Sequence, residues 1–150
     1  MIYIASSWRN RYFDKVCTTF LNEDIDFYNF KNPKHAFAWD DIDVSWKTWN
    51  EIQFIAALQT RKAQLGFNSD FDAMQTSDAC VLVLPCGRSA HLEAGWFVGA
   101  KKPLHLFIPE TMEAELMYKM ATTISFSIPA LLRNLKEYNY ACLVKGDYNV

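Results

Sequence analysis

The sequence has no excess of basic residues and no long apolar run. Its 150 residues include 15 Lys or Arg against 17 Asp or Glu, which leaves a net charge of −2 with neutral histidines. A general nucleic-acid binder or a protein of anionic membrane surfaces needs a basic face, so this balance argues against both classes. No apolar run approaches the roughly 20 residues of a transmembrane helix. Since no basic segment precedes an apolar one at the N-terminus, we expect a cytoplasmic protein without nucleic-acid or membrane partners.

The cysteines form no metal-binding or redox pattern. They are Cys17, Cys80, Cys86 and Cys142. They contain no Cys-x-x-Cys pair, and no zinc spacing relates them to the three histidines. Cys80 lies within an apolar run, where a small core side chain is expected. The pattern predicts no metal site and agrees with a reducing compartment.

The composition is that of an ordinary globular protein. Apolar residues make up 51% of the chain and charged residues 21%, which argues against disorder. The length suits one domain that buries a core, and the sequence has no repeat, low-complexity segment or internal linker. We predict a single domain over residues 1–150.

One stretch has the pattern of a βαβ unit. Residues 80–84 form a continuous apolar run, typical of a strand buried on both faces of a parallel sheet. Pro85 and Gly87 end this run, and a helical pattern follows over residues 89–100. Residues 104–108 are a second buried run, which completes the unit.

The N-terminal part has the same alternation of strand and helix. Residues 2–5 predict a strand, and after a polar turn Asn10 is expected to cap a helix that runs to about residue 21. Residues 26–30 predict the next strand. Together these units predict a flavodoxin-like or Rossmann-like α/β fold, with a doubly wound sheet of about five mainly parallel strands and helices on both faces.

Further elements are predicted between and after these units. A helix is expected over residues 48–65, with Thr48 as its cap, Glu51 completing a capping box and Gly66 ending it. The other predicted elements are helices over residues 68–76, 111–120 and 129–138, a fifth strand over 123–126, and an edge strand or tail over 141–144.

Residues 34–50 are rich in aromatic and acidic side chains but lack clean periodicity. A long loop of this composition is typical of a lid or a binding loop. The alternative is a satellite hydrophobic cluster under the loop, and the sequence alone does not choose between them.

Three polar segments meet at the carboxyl edge of the predicted sheet, where doubly wound folds bind their ligands. They are residues 6–10, 68–72 and 87–93. The candidate substrate-binding residues among them are Ser6, Ser7, Trp8, Arg9, Asp72, Gly87, Arg88, Ser89 and His91. Hydroxyl groups, guanidinium groups and the free N–H groups of a helix start favour an anion. The plainer alternative for Arg88, Ser89 and His91 is a role in starting the helix.

Glu93 and Asp70 are the candidate catalytic residues. Two acids in one cleft allow covalent glycosyl chemistry, in which one attacks the anomeric carbon and the other handles the leaving base. The nucleophile must stay ionised, and we expect the helix N-terminus and Arg88 to lower the pKa of Glu93. In the plainer alternative Glu93 is a surface carboxylate at a helix start, and Asp70 and Asp72 are solvent-facing acids.

The residues around these two acids resemble a known family. Residues 68–85 read Asn-Ser-Asp-Phe-Asp-Ala-Met-Gln-Thr-Ser-Asp-Ala-Cys-Val-Leu-Val-Leu-Pro, and residues 91–96 read His-Leu-Glu-Ala-Gly-Trp. This resembles the nucleoside 2-deoxyribosyltransferase superfamily, which includes nucleoside 5′-monophosphate N-glycosidases. The resemblance implies that Glu93 is the nucleophile and that Asp70 contacts or protonates the leaving base, with Asp72 as the alternative. It also implies a homo-oligomer with shared sites and neither a metal nor an organic cofactor.

One position departs from the transferase pattern. Many transferases of the family have an Asp six residues before the nucleophile, where this chain has Gly87. With Arg88 and a first turn rich in hydroxyl groups, the chain is more similar to the nucleotide hydrolases, which hold a 5′-phosphate. The resemblance implies cleavage of the N-glycosidic bond of a (deoxy)nucleoside or its 5′-monophosphate, with transfer to another base or to water.

Two other hypotheses remain at this point. In the first, the chain is a non-catalytic nucleotide-binding sensor or partner-recruiting module on the same fold, and Glu93→Ala leaves binding intact. Alternatively, the substrate is a dinucleotide whose ribosyl bond is cut by the same chemistry.

Overall fold

Five parallel strands form one sheet in the computed structural model, which describes residues 1–34 and 36–146 and the side chains of these up to residue 139. The strands are β1 Ile2–Ala5, β2 Phe27–Tyr28, β3 Ala79–Val83, β4 Leu104–Phe107 and β5 Thr123–Ser125. Their order is β2-β1-β3-β4-β5, and every neighbouring pair is parallel. This is the flavodoxin-like strand order, and the predicted α/β fold is confirmed.

Helices cover both faces of the sheet. They are α1 Phe13–Asn22, α2 Glu51–Leu58, α3 Arg61–Thr76, α4 Arg88–Gly99 and α5 Ile128–Gly146. Successive strand residues point to opposite faces, so Cys80 and Leu82 join the core under α3 and α4. Val81 and Val83 join the second core, which α1 and α5 cover. Burial on both faces explains why the strands read as continuous apolar runs.

Asn10 does not cap α1, contrary to the prediction. The helix begins after Tyr12, and no side chain caps it. Asn10 is buried instead. Its Nδ2 donates to the carbonyl oxygens of Val83 and Pro85 at 3.0 and 2.9 Å, and its Oδ1 accepts from the Tyr12 N–H at 2.6 Å. Asn10 therefore ties the loop after β1 to the end of β3.

The predicted helix over residues 48–65 is wrong at both ends. Two helices occupy this region. The earlier one, α2, begins after Asn50, and the side chains of Asn50 and Gln53 form its capping box. The predicted capping box of Thr48 and Glu51 is not formed. A break follows Leu58, and Thr60 then caps α3. The predicted helix over residues 68–76 is the second half of α3.

Gly66 lies inside α3 and does not end a helix. A Cβ atom at this position would lie 2.8 Å from Cβ of Phe37. The glycine is therefore needed for the close approach of the loop to the helix. The prediction that Gly66 ends a helix was wrong.

The aromatic side chains of the loop before α2 pack on one another. Trp39 packs edge-on against Phe37 and Trp49, with ring centroids 4.8 and 5.7 Å away. Indole N–H groups of Trp46 and Trp49 donate to Asp40 and Asp43, respectively, at 3.0 and 2.8 Å. The acids of this loop thus satisfy its own tryptophans. His35, which also belongs to this loop, lies outside the described residues.

The C-terminal elements differ in part from the prediction. Residues 111–120 contain only the 3-10 helix Leu116–Met120, and residues 141–144 belong to α5 rather than to an edge strand. The predicted strand over residues 26–30 is limited to Phe27–Tyr28.

Candidate active site

The loops after β1 and β3 lie side by side at the carboxyl edge of the sheet. The two strands pair in register, with Ala5 opposite Leu82. The hydroxyl group of Ser6 donates to the carbonyl oxygen of Val83 at 2.9 Å, beside the contact made there by Asn10. The proton of the Ser6 hydroxyl is therefore used within the fold, and Ser6 holds the edge together instead of facing a ligand.

Glu93 lies in the second turn of α4 and is partly buried over the sheet. The hydroxyl group of Tyr3 donates a hydrogen bond to its carboxylate. The strand register pairs Tyr3 with Cys80, and the charge of Glu93 raises the pKa of both of these buried groups after burial itself. Glu93 therefore sits above the middle of β1 and β3.

Asp70 approaches the same place from α3. Oδ1 of Asp70 accepts a hydrogen bond from the Tyr28 hydroxyl at 2.9 Å, and Oγ of Ser69 lies 3.1 Å from that hydroxyl. The ring of Tyr28 stacks on Tyr3, with centroids 5.4 Å apart. The structure thus brings together two carboxylates and two phenols, which we call the carboxylate–tyrosine cluster: Glu93, Asp70, Tyr3 and Tyr28.

The pKa of Glu93 is raised, which corrects our expectation. Burial and then the charge of Asp70 raise this pKa from 4.5 to about 7, while the hydrogen bond from Tyr3 opposes the rise. Arg88 is exposed at the start of α4 and contributes nothing to this balance. Desolvation disfavours the charged form more strongly than a distant helix start favours it. Glu93 is therefore poised between its two protonation states near neutral pH.

Tyr3 and Tyr28 were missed by the sequence interpretation. Both hydroxyl groups stay protonated, because burial raises the pKa of each, that of Tyr28 to about 12. A signal was present for Tyr3, since strand alternation puts it on the same face as Ala5, under α4. Tyr28 gave no such signal, because its contact with Asp70 joins residues 42 positions apart.

The first turn of α4 carries four of the predicted binding residues. Gly87 is the N-cap, with open space around it, and Arg88 and Ser89 are exposed. His91 is more than a helix-start residue. Its Nδ1 lies 2.9 Å from the carbonyl oxygen of Gly87 and its Nε2 lies 3.0 Å from the Tyr118 hydroxyl. A carbonyl only accepts, so Nδ1 donates this hydrogen bond.

Two predicted residues lie away from the carboxylate–tyrosine cluster. Asp72 is exposed on α3, two residues from Asp70 and therefore on another side of the helix. Trp8 is 49% exposed and packs edge-on against Phe30, with centroids 5.6 Å apart. Of the two acids on α3, the structure joins Asp70 and not Asp72 to Glu93.

A cleft of about 310 Å³ opens between the loops after β1 and β3. It is lined by Ser7, Arg9, Asn10, Arg11, Pro85 and Cys86. Oγ of Ser7 accepts from the N–H of Arg9 at 3.3 Å, which leaves the Ser7 hydroxyl proton for another acceptor. Burial and then the charge of Glu93 raise the pKa of the Cys86 thiol to about 12. Cys86 thus lines this cleft and is within electrostatic reach of Glu93.

A larger cleft of about 590 Å³ lies beyond the ends of β4 and β5. Its apolar lining includes Ile108, Met112, Ile124 and Phe126. Tyr118 also lines it and connects it, through the hydrogen bond to His91, with the first turn of α4. The two clefts therefore flank the helix that carries Glu93.

Within residues 1–34 and 36–146, no group of three or more His, Cys, Asp or Glu side chains is arranged to hold a metal ion. None of the helices in the same part of the chain combines the length and apolar character of a membrane span.

Comparison with known proteins leaves the family open. No protein-family model matches the chain, and no curated protein matches its sequence.

Proposed function

We propose that the protein cleaves the N-glycosidic bond of a (deoxy)nucleoside or its 5′-monophosphate through a glycosyl-enzyme intermediate on Glu93. The single observation that carries this proposal is that two carboxylates from different helices, Glu93 and Asp70, meet at the stacked rings of Tyr3 and Tyr28. Paired acids of this kind are the machinery of glycosyl transfer. The resemblance of residues 68–85 and 91–96 to the nucleoside 2-deoxyribosyltransferase superfamily supports the same reaction.

In the first step the ionised carboxylate of Glu93 attacks the anomeric carbon. The bond between a Glu93 oxygen and C1′ forms as the bond between C1′ and the base nitrogen breaks, and its electron pair leaves with the base. In the state that reacts the two acids share one proton, which is held by Asp70 while Glu93 is ionised. Asp70 contacts the base and gives this proton to the base nitrogen as it leaves, which makes Asp70 a carboxylate. Tyr3 donates its hydrogen bond to the Glu93 carboxylate and orients it for attack.

In the second step another base or water attacks C1′ and releases Glu93. An incoming base nitrogen gives transfer, and water gives hydrolysis. Asp70 then accepts the proton from the incoming group, by the reverse of its first role. Neither step needs a metal or an organic cofactor.

The loops around the smaller cleft are proposed to hold the 5′ end of the substrate. Ser7 has a hydroxyl proton to donate, and the exposed guanidinium groups of Arg9 and Arg88 form no ion pair within the described residues. Ser89 adds a hydroxyl group at the start of α4. We further propose a cytoplasmic homo-oligomer whose neighbouring subunits complete the sites.

Base release measured by liquid chromatography tests this function. Wild type, Glu93→Gln and the control Glu137→Gln, an exposed acid on α5, are incubated with deoxynucleosides and their 5′-monophosphates, with and without a second free base. We expect wild type and the control to release base and Glu93→Gln to release none. Base exchange identifies a transferase, and release without exchange identifies a hydrolase. Absence of release by wild type across the panel contradicts the proposal and favours a non-catalytic nucleotide-binding module.

A further inference from the structure

Arg11 lies between the two clefts. Its side chain lines the smaller cleft, and its Nη2 forms an ion pair with Oε2 of Glu110, which lines the larger one. The same Nη2 donates to the Tyr12 hydroxyl at 2.8 Å, and that hydroxyl donates to Oε2 of Glu110, also at 2.8 Å. Arg11, Tyr12 and Glu110 thus form a clasp that joins the start of α1 to the segment after β4.

The smaller cleft has the composition of an anion site. Two guanidinium groups and one hydroxyl group line it, and no carboxylate does. The amide of Asn10 is already used, because both of its ends bond to the backbone. The groups left for a ligand are therefore the hydroxyl group of Ser7 and the guanidinium groups of Arg9 and Arg11.

We propose that Arg11 is a specificity-determining residue that binds the phosphate group of a phosphate monoester, and that Glu110 competes with this phosphate for it. The inference rests on the proposed function, because it names the 5′-monophosphate rather than the free nucleoside as the preferred substrate. When the phosphate enters the smaller cleft, the Arg11 guanidinium leaves Glu110 and turns to the phosphate oxygens.

Losing its ion pair with Arg11 costs the Glu110 carboxylate little free energy. Its side chain is 35% exposed, so water solvates the carboxylate once Arg11 has left. The Tyr12 hydroxyl keeps its hydrogen bond to Oε2. Arg11 itself is 71% exposed and free to move.

Arg11 interacts more strongly with a phosphate group than with the Glu110 carboxylate. An exposed ion pair with a single carboxylate contributes little to stability. A phosphate held by two guanidinium groups accepts several charge-assisted hydrogen bonds at once, and each of these is stronger than a neutral one. The clasp is therefore expected to open for a dianion and to stay closed for a neutral sugar hydroxyl.

The position of this site suits the reaction. Cys86 lines the cleft and lies close enough to Glu93 for the carboxylate charge to raise the pKa of its thiol. A phosphate bound in this cleft thus lies on the side of Cys86 from which the proposed nucleophile is within electrostatic reach.

Calorimetric titration with inorganic phosphate at pH 8 tests the site without any turnover. The proteins are wild type, Arg11→Gln, Arg11→Lys, Glu110→Gln, the double variant Arg11→Gln/Glu110→Gln, and the control Glu113→Gln. Glu113 lines the same larger cleft as Glu110, so the control measures the general effect of removing one negative charge there. Thermal melts establish that every variant is folded.

We expect Glu110→Gln to bind phosphate about threefold to tenfold more tightly than wild type, and Arg11→Gln to bind it about tenfold more weakly. The phosphate affinity of Arg11→Lys should fall between those of wild type and Arg11→Gln. An ammonium group keeps the positive charge but cannot donate two parallel hydrogen bonds as a guanidinium group does. The double variant should gain nothing over Arg11→Gln, and Glu113→Gln should match wild type. Equal affinity of wild type and Arg11→Gln overturns the proposal, and so does a gain in the double variant or in Glu113→Gln equal to that of Glu110→Gln.

A second measurement separates this inference from the proposed function. If base is released, Arg11→Gln should lower kcat/KM for a 5′-monophosphate about tenfold and leave kcat/KM for the free nucleoside unchanged. An equal loss on both substrates contradicts the role of Arg11. If no substrate releases base while phosphate binding follows the predicted order, the proposed function fails and the phosphate site stands.

Discussion

The rings of Tyr3 and Tyr28 are stacked with centroids 5.4 Å and planes 12° apart, and each hydroxyl group serves one of two carboxylates. Tyr28 donates to Asp70, and Tyr3 donates to Glu93. Because the two rings come from neighbouring parallel strands, their spacing is that of the sheet itself. The sheet therefore fixes the separation of the groups that orient the proposed nucleophile and the proposed acid.

Tyr3→Phe should raise the pKa of Glu93 further, because it removes the hydrogen bond that opposes the rise. If Glu93 is the nucleophile, the acid limb of the kcat/KM profile for base release should move to higher pH. At pH 7 activity should fall about tenfold or more, since a hydrogen bond to a charged group is lost. An unchanged profile in Tyr3→Phe contradicts the positioning role.

Glu93 should destabilise the fold at high pH. Its folded-state pKa of about 7 lies above the usual 4.5, so the native state binds the proton more tightly than the unfolded state. The stability contributed by the protonated carboxyl is present below pH 4.5 and is lost as the pH rises through 7. Glu93→Gln should therefore be more stable than wild type at pH 8 by on the order of 2 kcal/mol, and nearly equal to it at pH 4.5. Urea unfolding at both pH values measures this difference.

Asp70 and Asp72 should differ sharply although they lie two residues apart. Asp70→Asn removes a charge that raises the pKa of Glu93, so that pKa should fall, as carboxyl-carbon NMR can measure. Base release should also drop by about 10²-fold or more if Asp70 acts on the leaving base. Asp72→Asn should leave both quantities close to those of wild type, because its side chain is exposed away from the cluster. Equal effects of the two substitutions would show that the assignment to Asp70 is wrong.

His105 should make the fold sensitive to acid. It is fully buried in β4, where burial lowers its pKa to about 4, and its Nδ1 contacts Thr123 at 2.8 Å. Because the pKa of His105 is lower in the folded state than in the unfolded state, the unfolded state binds a proton more readily as the pH falls. The stability that is present above pH 6.5 is therefore lost as the pH falls toward 4. Between pH 7 and pH 5, wild type should lose on the order of 1–2 kcal/mol through this group.

His105→Gln is the matched variant for that acid sensitivity. It should lose less stability than wild type over the same pH interval, even if it begins less stable at pH 7. Parallel curves for wild type and His105→Gln would assign the loss to other groups.

Gly66→Ala should destabilise the protein by about 1–3 kcal/mol, because the new methyl group would overlap the side chain of Phe37. The control Gly95→Ala, also inside a helix, has open space at its Cβ and should stabilise the protein by about 0.5–1 kcal/mol. Denaturant midpoints measure both effects. If Gly66→Ala left the free energy of unfolding unchanged, the loop would be able to move away from α3 without destabilising the protein.

Local patterns were sufficient for much of the architecture. The apolar runs at residues 80–84 and 104–108 predicted two adjacent parallel strands, because a strand covered on both faces has no polar alternation. The helical pattern between them predicted α4 within one residue of its observed start. Where two signals were equally good locally, as for Thr48 and Asn50 at the start of α2, the choice between them was wrong. Such choices depend on how the preceding loop packs.

The sequence by itself determined the βαβ unit of β3, α4 and β4, and it predicted the carboxyl edge at which Glu93, Ser7 and Arg9 would meet. Only the tertiary structure decided the electrostatic state of that edge. The pKa of Glu93 depends on the burial of α4 against the sheet, on the charge of Asp70 from α3 and on the hydrogen bond from Tyr3 of β1. The use of Asn10 as a tie and of Gly66 as a contact point was decided in the same way. Periodicity records which face of an element is buried, whereas a site depends on which neighbours share that face.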